Sequence, residues 1–563
     1  MLAALEESIS FVLTRLESIA LSFEHARSQL QLLAQAHKSV PGSKALLRSA
    51  GVQLNRHAPV NKLPEELLCA IFRWLDEDIL HNTPARVCSH WRTIALADPI
   101  LWTCLKISSR AQFENAAPEL VRRSRGAPLR VHIYAMHAFR WDDKGGVVPL
   151  WLDFDQCGPA LAGRIQSLAI TTNVPSAVTS QISNLVSCLL DPIHEGGVQL
   201  TSLRITCGPP GTPTNEYSGR SSLRRFSTDW AFLPGTWMGG LTHMEILHSI
   251  NLPLLLNMLA FTPNLQSLHL ENLRYSTAHA TRPQRPMTLS LDNLLCRCSS
   301  ANQSDWKELL EHCNPPGRCI DRIAITGSHT SYDDVKRDLL DQLDSIRALR
   351  VWCVDPVRWN LPTAYTLADR CGRRRHFVLH DLEPVRNQRL QGILDSGRLF
   401  RDITCLTMQP AAWDRLCGLL CNDMDLPQLR SITFEIKPTP GSLRDQQVVF
   451  LDVPSTHVFN QLFPLRVPLL REITLVAVHT ATHPPQKAVV DSTIAAMYVR
   501  KLLYDIQNPP LLRIVNASLD VYPSDALEDL RALVLRIVEV SWDHSDAQLQ
   551  WAGGPEYAFG WKD

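Results

Sequence analysis

Residues 59–107 read PVNKLPEELLCAIFRWLDEDILHNTPARVCSHWRTIALADPILWTCLKI, and this stretch decides how the chain begins to fold. Its apolar residues recur at helical spacing and predict about three short helices. Pro64 suits a first helical turn, where a missing N–H costs nothing, and Glu65 and Glu66 follow at the positive end of the helix dipole. So small a unit cannot bury all of this apolar surface by itself. We therefore expect part of the surface to be left for a partner.

Two further helix starts lie inside this stretch. Thr83 suits an N-cap, with Pro84 at the first helical position. Asp98 precedes a third short helix that carries Ile100, Leu101 and Trp102. Because Pro84 comes so soon before Val87 and Cys88, we expect the second helix to be short.

The ordered set of residues in this stretch resembles an F-box. The matching pieces are Leu63-Pro64, Glu65-Glu66-Leu67-Leu68, Ile71-Phe72, Leu75, Val87-Cys88-x-x-Trp91, Pro99 and Leu101-Trp102. In that family the helices dock on the adaptor Skp1, and the rest of the chain selects a target for a cullin–RING ubiquitin ligase. The resemblance implies a chain that binds Skp1, recruits cullin through it, and delivers an unknown protein target without catalysing a reaction itself.

The resemblance also implies which residues contact the adaptor. The expected Skp1-binding residues are Leu63, Pro64, Leu67, Leu68, Ile71, Phe72, Leu75, Val87, Trp91, Leu101 and Trp102. The short second helix departs from the family pattern and indicates a lower affinity for the adaptor than is usual. The alternative is a generic three-helix bundle, in which each of these side chains is internal core only.

Residues 1–40 follow a heptad pattern, which predicts a coiled-coil-like helix. One seam position holds Leu2, Ile9, Leu16, Phe23 and Leu30, and the other holds Leu5, Val12, Ile19, Ala26 and Leu33. Self-association through residues 2–33 and folding back onto the chain remain equally open. Pro41 and Gly42 break the helix and begin a linker over residues 41–58.

From about residue 161 onward, short phrases of the form L-x-x-L-x-L recur and resemble leucine-rich repeats. They begin at Ile165, Leu200, Leu241, Leu265, Ile320, Ile346, Ile403, Leu429 and Leu470, and a further one is predicted in residues 512–519. Each repeat supplies one short strand and cannot bury its apolar side alone, so stacking of the repeats forms the core. The interval from Leu268 to Ile323 is about twice the usual period, so a degenerate repeat or a loop insertion is expected there.

The predicted fold class is therefore α/β. A coiled-coil-like helix (1–40), a linker (41–58) and a three-helix F-box (59–107) lead through a connector (108–160) to an irregular leucine-rich-repeat solenoid (161–540), whose parallel strands line a concave face, and then to a C-terminal cap or tail (541–563). An ordinary set of βα units is the alternative to the solenoid. An F-box followed by degenerate repeats resembles the expanded sets of such proteins in mushroom-forming fungi.

Irregular stretches interrupt this pattern. In the connector, RRSRGAPLRVHI (122–133) predicts a helix end at Gly126 and then a strand that follows a proline. Loop insertions are predicted at Gly208–Ser222, Ser276–Pro286 and Lys437–Asp445, where Pro, Gly, Ser and Thr are frequent. Such loops lie outside a repeat core and are candidates for binding residues.

The charge balance, the apolar runs and the cysteine content of the chain argue against several classes of function. Lys plus Arg equals Asp plus Glu, at 56 each, so there is no electrostatic footprint for nucleic acid or for an anionic membrane. There is no run of 18 apolar residues to span a membrane. Fifteen cysteines without a framework spacing indicate reduced, intracellular thiols. We therefore expect the cytoplasm, the nucleus, or both.

The sequence carries no recognisable catalytic constellation: no Walker loop, no G-x-S-x-G and no H-E-x-x-H. Cys296, Cys298, His312, Cys313 and Cys319 are the best candidate zinc ligands, but their spacing fits no common zinc site. We expect no catalytic residue, no metal and no cofactor. Two hypotheses remain: a substrate receptor of an SCF-type ligase, and an interaction scaffold whose F-box is vestigial.

Overall fold

The structure is a computed structural model. It describes residues 58–75, 84–108, 118–134, 139–141, 147–149, 164–171, 200–206, 222–229, 234–274, 289, 291–299, 303–313, 320–327, 339–340, 342–353, 363–379, 401–409, 426–436, 448–450, 467–477, 487–502, 508–515, 517–519 and 524–540. The chain divides into two compact units, residues 1–237 and 238–563. The predicted heptad helix, nearly all of the linker, the loops at 276–286 and 437–445, most of the loop at 208–222 and the C-terminal segment lie outside the described residues.

The first unit begins with short helices. A 3-10 helix (Pro59–Lys62) is followed by α1 (Glu65–Arg73), α2 (Pro84–Val87), α3 (Ser89–Ala97) and a second 3-10 helix (Pro99–Trp102). Pro64 is the N-cap of α1, one residue before the predicted position. Pro84 begins α2, and its four residues confirm the prediction of a short second helix. Asp98 caps the last helix by accepting a 3.0 Å hydrogen bond from the backbone N–H of Ile100.

Strands follow directly after these helices. They are β1 (Cys104–Ile107), β2 (Leu129–Tyr134), β3 (Phe139–Trp141), β4 (Val147–Pro149), β5 (Ile165–Thr171), β6 (Ser202–Thr206) and β7 (Arg225–Thr228). A parallel ladder runs β1-β2-β5-β6-β7, and β3 and β4 form a separate antiparallel pair. The ladder thus begins inside the predicted F-box and continues through the predicted connector. The strand predicted after the proline in residues 122–133 is present as β2, whereas β1 is a strand that the sequence analysis did not predict.

A helical segment over residues 118–123 leads into β2. Gly126 has φ +88°, a left-handed conformation in which glycine is favoured, so the predicted helix end is confirmed. The guanidinium of Arg164, just before β5, donates to the carbonyl oxygens of Val121 (3.0 Å) and Ala127 (2.8 Å). These bonds join the turn after the helix to the residue that precedes the next strand.

The second unit contains a longer ladder. Its strands are β8 (His243–Asn251), β9 (Ser267–Arg274), β10 (Asn293–Ser299), β11 (Arg322–Gly327), β12 (Ile346–Cys353), β13 (Thr363–Asp369), β14 (Arg374–Leu379), β15 (Cys405–Met408), β16 (Ser431–Ile436), β17 (Val448–Phe450), β18 (Glu472–Ala477), β19 (Lys487–Val490), β20 (Leu511–Val515), β21 (Ala517–Leu519) and β22 (Arg536–Val540). The order is β8-β9-β10-β11-β14-β13-β12-β15-β16-β18-β20-β22, and β17, β19 and β21 form a separate parallel sheet.

Few helices accompany these strands. Those of the second unit are α4 (Leu252–Leu259), α5 (Gln303–Cys313), α6 (Ser492–Leu502) and α7 (Ser524–Leu533), and a 3-10 helix spans Thr236–Gly240. Asn251 caps α4 by accepting a 3.0 Å hydrogen bond from the backbone N–H of Leu254. Across the described ranges, no helix combines the length and the apolar character needed to cross a membrane.

The L-x-x-L-x-L phrases form the core of both ladders. Leu265, Leu268 and Leu270 are all buried, and the strand alternation places the intervening side chains on the other face. Pairing of neighbouring strands places equivalent positions of successive phrases side by side. Leu268 therefore lies beside Met244 on one side and Leu294 on the other. Each predicted phrase coincides with a described strand, so these predicted strands are confirmed.

Three strands of the same kind were missed or left open. β10 fills the long interval through the phrase Leu291-x-x-Leu294-x-Cys296, which resolves the expected degenerate repeat as a strand. β7 uses Leu223-x-x-Phe226-x-Thr228, and β1 uses Trp102-x-x-Leu105-x-Ile107. All nine of these side chains are buried. In these three phrases Cys, Thr or Trp stands at one of the apolar positions, so the L-x-x-L-x-L form is harder to recognise in the sequence.

One part of the second ladder is not parallel. β13 lies between β12 and β14 and is antiparallel to both, while β12 and β14 continue the parallel ladder to β15 and β11. After β11 the chain therefore leaves two positions of the ladder open and forms β12 at the third. It then returns through β13 and β14, which fill the two open positions. The prediction of parallel strands throughout was wrong here, because the short turn after Asp369 joins β13 directly to β14, and a short connection between neighbouring strands gives antiparallel pairing.

An arginine occupies a core position at this meander. Arg375 lies in register with Ile323 of β11 and is fully buried. Its guanidinium donates to the carbonyl oxygens of Ile320 (2.9 Å) and Leu339 (3.3 Å). A buried guanidinium is tolerated when its donors are hydrogen-bonded. At this position Arg375 therefore makes hydrogen bonds where the other strands make apolar contacts through leucine.

The turn between β13 and β14 depends on a buried carboxylate. Asp369 accepts hydrogen bonds from the backbone N–H groups of Cys371 (2.9 Å), Arg373 (2.9 Å) and Asp344 (3.2 Å), and from Nε of Arg373 (2.6 Å). Gly372 completes the turn at φ +83°. Burial acts to raise the pKa of Asp369, but the hydrogen bonds outweigh it and the pKa lies below its ordinary value.

We predict that Asp369→Asn lowers the free energy of local opening of residues 363–379 by about 1–3 kcal/mol, because the amide keeps one acceptor oxygen and its NH₂ cannot accept the hydrogen bonds made to the other. The wild-type carboxylate contributes fully above the unfolded-state pKa of about 4 and loses its contribution as the pH falls through the lowered native value. The difference between variant and wild type should therefore shrink below about pH 4. Hydrogen exchange of this segment at two pH values measures it.

Asp344→Asn is the matched control, since the Asp344 side chain is exposed and pairs with Arg370 at the surface. Surface pairs contribute about 0–1 kcal/mol. Equal effects of the two substitutions would contradict the role given to the buried carboxylate.

Candidate functional site

Helix α1 carries two apolar faces. Leu68 and Phe72 are fully buried, whereas Leu67 is 52% exposed and Ile71 is 38% exposed. A helix turns about 100° per residue, so Leu67 and Ile71 share one face and Leu68 and Phe72 share the next. One face therefore packs inside the first unit, and the other is open to solvent.

The inner face of α1 builds a small hydrophobic core with the elements that follow it. The buried members are Leu68, Phe72, Ile94, Ala95, Leu101 and Trp102, and the half-buried side chains packed against them are Val60, Leu63, Cys69, Leu75, Trp91 and Leu120. The core therefore joins both 3-10 helices to α1 and α3. It fixes the orientation of α1 and hence of its outer face.

Two tryptophans are held in this core by specific contacts. The indole N–H of Trp91 donates to Oδ1 of Asn61 (2.6 Å), and its ring lies 5.0 Å from the ring of Phe72. The indole N–H of Trp102 donates to the carbonyl oxygen of Ala95 (2.7 Å), and the guanidinium carbon of Arg123 lies 4.5 Å from its ring centroid. A buried indole needs such an acceptor. The buried Trp102 ring therefore belongs to the scaffold, and the half-buried Trp91 ring is held in place by it.

An ion pair ties the end of α1 to the second 3-10 helix. Arg73 donates from Nε (3.2 Å) and Nη2 (2.8 Å) to Oδ2 of Asp98, which is largely buried. Oδ1 of the same carboxylate caps Ile100, as described above. Burial, followed by the charge of Asp98, raises the pKa of the Cys69 thiol. The Cys69 thiol is therefore held in its neutral form and packs against the core.

The outer surface of this unit is unusually apolar. Within the described residues, six of the ten exposed large hydrophobic side chains lie between residues 60 and 108. They are Leu67, Ile71, Trp74, Val87, Leu96 and Ile100. Exposed apolar side chains concentrated in one short segment make this surface a candidate site of interaction.

The eleven predicted contact residues divide into three groups. Exposed residues are Pro64, Leu67, Ile71 and Val87; half-buried residues are Leu63, Leu75 and Trp91; buried residues are Leu68, Phe72, Leu101 and Trp102. That all eleven contact a partner stays a prediction, and the buried four have almost no accessible surface in this structure. These four support the site from inside.

Sequence analysis left three exposed side chains out of the predicted contact set: Trp74, Leu96 and Ile100. Trp74 lies seven residues after Leu67, at the spacing that returns a helix to the same face. That spacing was readable from the sequence. The exposure of Leu96 and Ile100 was not, because their neighbours Ala95 and Leu101 carry the same apolar character and are buried.

The described residues contain no group of three or more His, Cys, Asp or Glu side chains placed to hold a metal ion. Among the candidate zinc ligands, Cys296 is buried in β10 and Cys313 is buried in α5. Burial raises the pKa of the Cys313 thiol to about 12. Nδ1 of His312 lies 2.7 Å from the carbonyl oxygen of Glu308, and Cys319 lies outside the described residues.

Comparison with known families gives one match. Residues 60–108 match the family model described as F-box-like, and no curated protein matches the chain significantly. The matched segment contains helices α1–α3 and all six exposed apolar side chains of the candidate site. Domains of this kind are adaptor modules rather than catalytic ones, and they generally bind Skp1-like adaptors.

We predict that Phe72→Ala destabilises this unit by about 3–5 kcal/mol, because it leaves a cavity in the core. Leu67→Ala should change its stability by no more than about 0.5 kcal/mol, because Leu67 is on the open face. Hydrogen exchange of α1 and α3 in the full-length chain measures both. Equal protection in the two variants would show that the division into inner and outer faces is wrong.

Proposed function

We propose that this protein is a substrate-receptor subunit of an SCF-type ubiquitin ligase. Its F-box would dock on a Skp1-like adaptor, which recruits cullin, and its strand ladders would bind a protein target. The observation that most strongly supports this proposal is that exposed apolar side chains are concentrated in the segment that matches the F-box-like family model. The contact residues we propose are Pro64, Leu67, Ile71 and Val87, with Leu63, Leu75 and Trp91 at their margin.

The docking surface suits an adaptor for an energetic reason. Truncating a well-packed apolar anchor at an interface costs about 2 kcal/mol or more, and α1 offers several such anchors on a rigid helix. The inner core fixes that helix before binding, so little conformational entropy is lost on association. The Arg73–Asp98 ion pair holds the end of α1 in the same way.

For the ladders, we propose a degenerate leucine-rich-repeat architecture that binds the target. Support comes from the buried L-x-x-L-x-L positions, which leave a row of alternate residues on the opposite face. In the second unit, Thr407, Thr433 and Thr474 are neighbours in that row. Next to Thr407 in the same row, Arg350 forms a 2.7 Å ion pair with Glu435. Because Thr407 and Thr474 are buried and the side chains of Arg350 and Glu435 are 12% and 13% exposed, these residues would shape this face rather than present a wide contact surface to the target.

The protein would contribute proximity and no chemistry of its own. Holding a target next to the ubiquitin-transferring enzyme converts an encounter between two molecules into a reaction within one complex, which raises the effective concentration. We place this activity in the cytoplasm or the nucleus. Self-association through residues 2–33 remains part of the proposal and has its own test by concentration-dependent light scattering.

A scaffold with a vestigial F-box is the second candidate. The four-residue α2 favours it, because a short helix offers less docking surface than a full one. Undetectable adaptor binding by the wild-type chain, together with dimerisation of the full-length chain, would support the scaffold. Adaptor binding at micromolar affinity or better would support the ligase subunit.

We predict that the double substitution Leu67→Ala, Ile71→Ala reduces co-purification with Skp1 by at least about tenfold, because each truncation removes about 1 kcal/mol or more of apolar contact. Both side chains are exposed, so the fold should be retained. Quantified pull-down of purified full-length chains with recombinant Skp1 measures the loss.

The control is Phe261→Ala, Leu469→Ala, since these side chains are 38% and 37% exposed and lie outside the matched segment. It should bind Skp1 as the wild type does. Unchanged binding by the α1 double variant would remove this face from the proposed interface.

A further inference from the structure

Trp74 continues the open face of helix α1. It is the C-cap residue and keeps helical geometry at φ −85° and ψ −12°. Its backbone N–H donates to the carbonyl oxygen of Ile71 (3.1 Å). Leu67, Ile71 and Trp74 therefore follow the i, i+4, i+7 spacing and form one stripe along the helix.

The exposure of this indole sets it apart from the scaffold tryptophans. Trp74 is 90% exposed, whereas Trp102, Trp237 and Trp306 are buried and Trp91 is half-buried. Arg73, its neighbour, turns to Asp98 and secures the helix end. The ion pair therefore holds the backbone in place while the indole projects into solvent. An exposed indole of this kind contributes little to folding.

The position of Trp74 also bears on the short second helix. Val87 is the exposed large hydrophobic side chain of α2, which spans only four residues. Within the described residues, α2 therefore contributes one exposed large hydrophobic side chain to this surface. Trp74 adds the largest apolar side chain, and tryptophan is the residue type most enriched among interface anchors.

We propose that Trp74 is an additional anchor for the Skp1-like adaptor, and this inference rests on the proposed function. The indole continues the stripe of Leu67 and Ile71, so a partner that covers the stripe reaches it as well. The matching site on the adaptor would be an apolar pocket with a hydrogen-bond acceptor for the indole N–H. Trp74 would thereby restore affinity that the short α2 removes.

The test compares full-length variants for affinity to recombinant Skp1 by biolayer interferometry. Trp74→Ala should weaken binding by at least about tenfold, because a hot-spot tryptophan contributes at this level. Trp74→Phe should lose less, because the ring is kept and only the N–H and part of the area are removed. Leu535→Ala is the matched control, since Leu535 is 75% exposed and lies outside the matched segment; it should bind normally.

The outcomes separate this inference from the proposed function. If the wild type binds Skp1 and Trp74→Ala binds within twofold of it, the anchor role is overturned and the ligase role stands. If the wild type does not bind Skp1, the proposed function fails and the anchor role fails with it. If Trp74→Ala abolishes self-association in light scattering but leaves Skp1 affinity unchanged, the occupant is a second copy of this chain and the inference is wrong.

Discussion

Burial of three apolar side chains per strand is the constraint on which the ladders depend. A single strand of four to nine residues cannot remove these side chains from water, so each one needs a neighbour in register. The chain tolerates wide variation at these positions as long as burial is kept. Cys296, Thr228 and even Arg375 occupy places where leucine is usual, the last because carbonyl oxygens satisfy its guanidinium.

Trp102 shows how the helical segment and the first ladder share one framework. Its ring lies in the core with Leu68 and Phe72, and it is also the first buried position of the phrase that leads into β1. The orientation of α1 is therefore coupled to the start of the ladder. In the proposed receptor role, a rigid connection at this point would set the position of the first ladder relative to the adaptor.

The docking proposal rests on the division of α1 into a buried apolar face and an exposed apolar face. A helix with one apolar face would bury it and leave a polar surface, but α1 has apolar residues over a wider arc than the core can cover. The excess is what a partner would bury. The same reasoning distinguishes scaffold residues from contact residues among the eleven predicted positions, which an apolar pattern by itself treats alike.

Sequence by itself determined the helix starts at Pro64, Pro84 and Pro99, the short second helix and the repeating strands, because prolines, caps and period-two apolar spacing act locally. It also located the F-box-like segment. Tertiary structure alone decided which apolar residues are inside. Leu67 and Leu68 are identical in chemistry, and only the packing of α3 and the 3-10 helices against one side of α1 buries the second and leaves the first exposed. The antiparallel β13 was likewise decided by tertiary structure, because strand direction depends on where the chain turns and not on the apolar pattern of the strand.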